Sequence, residues 1–131
     1  MEDLAFQPGD ESFVAEDSPC GQYSAVFEDD GETGYFYAME LIQPDNTILD
    51  AVHIYTVGNV VDREKPSALA IAWSADGFKC ALIINGYAHA AFDFALQRGY
   101  CRTNFPNFPA QTPGGWAQSG HAWSDEAVAW L

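Results

Sequence analysis

Ala68-Leu69-Ala70-Ile71-Ala72-Trp73-Ser74-Ala75-Asp76-Gly77-Phe78-Lys79-Cys80-Ala81-Leu82-Ile83-Ile84-Asn85-Gly86-Tyr87-Ala88-His89-Ala90-Ala91-Phe92-Asp93-Phe94 is the stretch that decides the fold. Asp76-Gly77 and Asn85-Gly86 are both signals for two-residue type I′ hairpin turns, because Asn, Asp and Gly tolerate the positive φ such turns need. They predict three antiparallel strands over 67–75, 78–84 and 87–94. Folding about the first turn sets Trp73 opposite Cys80, Ile71 opposite Leu82 and Leu69 opposite Ile84. Folding about the second sets Ile84 opposite Tyr87 and Leu82 opposite His89. Directly opposed residues share a face.

One face is then large and apolar: Leu69, Ile71, Trp73, Cys80, Leu82, Ile84 and Tyr87. The other is a shallow floor of Ala68, Ala70, Ala72, Ala81, Ala88 and Ala90, with Ile83, Phe92 and Phe94. Two apolar faces mean a sheet covered on both sides. A second sheet suits one face and a helix the other. Ala88 to Arg98 also fits a helix, with good formers and Gly99 as a C-cap. The strand is preferred because Asn85-Gly86 demands an immediate return strand.

Outward from this centre the signals stay β-like. Gln22 to Glu28 and Tyr35 to Ile42 read as strands joined by Asp29-Asp30-Gly31-Glu32-Thr33-Gly34, a loop longer than two residues. Pro44-Asp45-Asn46 reads as a turn, and a third strand runs from about Leu49 to Val57. Residues 1–11 are polar and read as loosely held. Residues 103–121 read as a long loop whose Phe105, Phe108 and Trp116 plug the edge of the core. Ser124 followed by Asp125-Glu126 is a helix-start pattern, with Ala127, Trp130 and Leu131 toward the core. The expected fold is mainly β (α+β at most): antiparallel sheets as a sandwich or curled sheet, one domain over 1–131, with a short C-terminal helix.

Charge is the strongest compositional signal. The net charge is −14, with nineteen acids against five Lys and Arg. Ten of those acids and none of the bases fall in residues 1–32. Such a field repels nucleic acid and anionic membrane, and attracts a basic protein. No apolar run is long enough to span a bilayer, and the N-terminus lacks a secretory pattern, which points to the cytoplasm. Cys20, Cys80 and Cys101 are an odd set without a C-x-x-C pair, as expected of reduced thiols. Cys101, between Tyr100 and Arg102, is the candidate for a reactive thiol.

No phosphate-binding loop, nucleophile elbow or dinucleotide fingerprint occurs, and Gly114-Gly115 lies in a Pro-rich loop rather than between a strand and a helix. His53, His89 and His121 lie at no metal-ligand spacing, so neither metal nor cofactor is expected. Two surfaces remain. Asp29, Asp30 and Glu32 form an acidic hairpin loop suited to a basic partner. His89, Asp93, Arg98 and Arg102 are candidates for a polar pocket binding an anionic ligand or doing acid–base work.

The run Phe27 to Ala38, with Ala91-Phe92-Asp93-Phe94 and Gly99-Tyr100-Cys101-Arg102, resembles an uncharacterised bacterial family of domains of unknown function (DUF2251-like). The resemblance implies a small bacterial protein and supplies no activity to transfer. The residues themselves favour a small acidic, non-enzymatic interaction module of immunity or antagonist type, binding a basic protein. The alternative is a small-ligand-binding protein or enzyme using the pocket near His89.

Overall fold

A computed structural model describes residues 4–41, 47–61, 64–109 and 115–131. The expected turn at Pro44-Asp45-Asn46, and Gly114 of the Gly-Gly pair, lie outside the described residues. Among the described residues nine strands form two antiparallel sheets. The first sheet holds β1 (Leu4–Phe6), β6 (Ser67–Trp73), β7 (Lys79–Ile84), β8 (Tyr87–Asp93) and β9 (Arg98–Cys101), in that order. The second holds β2 (Ser12–Asp17), β3 (Tyr23–Asp29), β4 (Thr33–Glu40) and β5 (Thr47–Thr56). This is a mainly-β, sandwich-like fold.

The quoted stretch folds as its turns dictate over β6 and β7. Trp73 pairs with Cys80, Ile71 with Leu82 and Leu69 with Ile84. Asn85 and Gly86 both have positive φ, +53° and +77°, as a type I′ turn requires. The first turn is wider than expected. Ser74 donates to the Lys79 carbonyl, and only Gly77 within it has positive φ, so residues 75–78 make the connection.

At β8 the expected register fails. Ile83 pairs with Ala88 but Leu82 pairs with Ala90, so His89 is the extra residue of a β-bulge rather than the partner of Leu82. The bulge re-phases the strand. Ala90, Phe92 and Phe94 turn into the core instead of joining the alanine floor. Ala91 takes their place on the outer face, opposite Ala81. Arg102 satisfies the carbonyls at the bulge: its backbone N donates to His89 O and its Nε to Ala88 O. No helix forms over 88–98.

The core lies between the sheets. Phe27, Phe36 and Val52 of the second sheet meet Leu69, Leu82 and Phe92 of the first, all at most 1% exposed. Phe36 stacks on Phe92 with ring centroids 5.0 Å apart. Tyr87, expected on this face, is 53% exposed at its end. The alanine floor is covered in part: Ala70, Ala81 and the newly placed Ala91 are buried, while Ala68, Ala72 and Ala88 are half-buried. The C-terminal segment packs against β8, but as one 3-10 turn (Asp125–Val128), not an α-helix. Ser124 makes no side-chain cap, Ala127 and Trp130 are half-buried, and Leu131 is exposed. The N-terminal segment, expected to be loose, supplies β1 and buries Phe6.

Candidate functional site

The outer face of the second sheet carries an exposed aromatic row. Phe36 and Ala38 point into the core, so the strand period of two turns Tyr35 and Tyr37 outward. The registers place Phe13, Glu28, Tyr35 and His53 directly opposite one another across β2, β3, β4 and β5. At about 4.8 Å between strands the row extends roughly 15 Å. The Phe105 ring continues it, 6.0 Å from His53, and Phe108 lies 6.1 Å beyond. Phe13 is 67% exposed, Phe105 42% and Phe108 46%, while Tyr35, Tyr37 and His53 are half-buried. Of the three loop aromatics expected to plug the core, only Trp116 does so.

Polar bonds fix this face. Tyr37 Oη donates to Glu28 Oε1 at 3.2 Å. Burial, with the negative charge of Glu28, pushes the Tyr37 hydroxyl up to about 12. Thr103 Oγ1 donates to the His53 carbonyl, so its lone pair accepts from His53 Nδ1–H, and Nε2 accepts from Thr56. Burial lowers the His53 pKa, in keeping with this neutral ring.

The acidic loop divides. Asp30 and Glu32 are exposed, whereas Asp29 is only 1% exposed. Asp29 accepts from Gly9 N and Gly31 N at 2.8 Å each and from the Tyr55 hydroxyl at 2.5 Å. It is a structural clamp. Tyr55 reaches it only because Gly34 has no side chain: a Cβ there would lie 2.7 Å from the Tyr55 ring. Asp30 caps the turn by accepting from Glu32 N and Thr33 N, and these bonds lower its pKa. Beside Phe13 a groove of about 360 Å³ is lined by Glu11, Glu28, Asp29 and Asp30.

The four residues of the expected polar pocket do not converge. Asp93 and Arg98 face each other on β8 and β9. His89 and Arg102 lie at the other end of that strand pair, on the order of 13 Å away. The Arg102 guanidinium is held between the rings of Tyr87 (4.4 Å) and Trp123 (3.8 Å). Burial, then the Arg102 charge, lowers the His89 pKa. Cys101, the candidate reactive thiol, is fully buried, with Sγ beside Thr103 Oγ1 and the Phe105 carbonyl.

A buried ion pair that the sequence did not reveal closes the seam between the sheets. His121 Nε2 sits 2.9 Å from Asp50 Oδ2, and Nδ1 sits 2.6 Å from the Pro106 carbonyl. The Pro106 carbonyl only accepts, so Nδ1 donates to it, and in the protonated ring Nε2–H donates to the Asp50 carboxylate. The loop holding His121 is itself sewn to the strand edges. Phe105 O accepts from His53 N, Trp116 N donates to Leu49 O, and His121 O accepts from Cys101 N. The signal was weak because Asp50 and His121 are 71 residues apart.

These features define an antiparallel two-sheet protein whose exposed aromatic face is flanked by carboxylates. The chain belongs to the DUF2251 family, described as uncharacterised proteins conserved in bacteria, whose model matches residues 6–131. An uncharacterised protein of Haemophilus influenzae is 40% identical over 104 residues. That match covers 74% of this chain but 65% of the relative, so the chain spans less than two thirds of its length. No solved structure matches. Among the described residues no helix is long and apolar enough to cross a membrane.

Proposed function

We propose that this protein is an acidic, non-enzymatic interaction module that binds a basic protein partner through the outer face of β2–β5. One observation carries the reading: the row Phe13–Glu28–Tyr35–His53–Phe105 leaves rings exposed beside carboxylates on a regular sheet. Aromatic rings offer large, rigid contact area, and their faces attract Lys and Arg. Glu11, Glu28, Asp30 and Glu32 supply charge complementary to such a partner, and the net charge of −14 speeds its approach. We place it in the bacterial cytoplasm, which suits its three unpaired cysteines.

The test is capture from the native cell with wild type and with Phe13→Ala/Tyr35→Ala. A basic protein held by wild type and lost by the variant is expected, with an association rate that falls as salt rises. A captured set that contains no basic protein, or that the variant leaves unchanged, overturns the reading.

A further inference from the structure

A second site lies away from that face. A cleft of about 610 Å³ opens between the turn joining β8 to β9 and the segment 117–122. Its volume falls within the range usual for small-molecule sites. Arg98 stands on the rim, exposed, and its guanidinium makes no hydrogen bond or ion pair among the described residues. It is one of only five Lys and Arg side chains in the protein.

The other groups of the cleft are sorted by what the fold already uses. Gln118 is spent: Oε1 accepts from Gly99 N at 2.6 Å, and Nε2 donates to Gly99 O and Gly120 O. Asn104 has φ +53°, and its Oδ1 accepts from His121 N at 2.8 Å, while its side-chain Nδ2 has no partner among the described residues. The Ser119 hydroxyl is likewise unengaged among the described residues. Arg98, Asn104 and Ser119 thus present donors to one cavity. Asn104 and Gln118 are held by bonds formed within the fold, so less ordering remains to be done on binding.

We propose that this cleft binds a small carboxylate, gripped by the planar fork of Arg98 and hydrogen-bonded by Asn104 and Ser119. A guanidinium matches a carboxylate with two parallel N–H···O bonds. A phosphate dianion would meet about twice the repulsion from the surrounding negative field, which favours a monoanion.

The test titrates the isotopically labelled full chain with N-acetylglycine, and separately with inorganic phosphate, at constant ionic strength. Saturable amide shifts at Arg98, Asn104 and Ser119 are expected with N-acetylglycine. Arg98→Met should weaken that binding by about tenfold or more, and Arg98→Lys by less, since one bidentate charged contact is lost or made single. Arg98 is exposed, so the unchanged spectrum of the rest of the chain will show that the variants fold. Shifts that never saturate, that persist undiminished in Arg98→Met, or that favour phosphate over N-acetylglycine overturn the assignment.

Discussion

His121 and Asp50 form an ion pair sealed from solvent, at 0% and 3% side-chain exposure and 2.9 Å apart. Removing one partner strands the other charge. Asp50→Ala should therefore cost about 3–5 kcal/mol of folding stability. Denaturant unfolding measures this, and a loss below about 1 kcal/mol would show that the pair is dispensable.

The same pair sets a pH dependence. Burial opposes the His121 charge, but the Asp50 carboxylate and the Pro106 carbonyl outweigh it, and the pKa rises above its ordinary 6.5. The folded state thus holds the proton more tightly than the unfolded chain. The resulting stability is complete below about pH 6.5 and is lost as pH rises through the folded-state value. His53 and His89 shift downward and act oppositely below that pH. The stability difference between wild type and His121→Gln isolates the effect: it should shrink on going from pH 6 to pH 9, and a constant difference would refute it.

Asp29 and its neighbours should separate folding from binding. Asp30→Asn/Glu32→Gln removes two exposed charges while keeping an acceptor for the turn, and stability should change little. Asp29→Ala leaves the Tyr55 hydroxyl and two backbone N–H groups without their acceptor, and should cost about 1–3 kcal/mol. Equal losses in the two variants would contradict the burial of Asp29.

Ala81 and Ala91 leave no room on the outer face of the first sheet. Ala81→Leu should overpack the buried layer around Ala81 and Ala91, beside the C-terminal segment that packs on β8, and cost about 1–3 kcal/mol. A neutral result would show that the C-terminal segment yields without cost.

The three thiols should differ in reactivity. Cys20 is exposed, and a hydrogen bond with Ser18 lowers its pKa, whereas full burial pushes that of Cys80 up. A disulfide reagent should modify one thiol quickly in the native protein and all three in denaturant. More than one fast thiol would show that Cys80 or Cys101 is open.

Local chemistry by itself determined the β-rich fold and most of its central register. Asn85-Gly86 and the alternation around it dictate antiparallel pairing because only a few residue types accept positive φ. Composition determined the acidic character. The tertiary structure decided what depends on distant partners. The bulge at His89 is set where Arg102 meets the carbonyls of Ala88 and His89, and one extra residue there sends Phe92 and Phe94 to the opposite face. Burial of Asp29 depends on Tyr55 and Gly9, which no local pattern brings together. The aromatic row joins four strands and a loop, so its members are scattered through the sequence and meet only once the registers are fixed. Side chains in such a row are chosen by position across a sheet, and a linear sequence records only position along a strand.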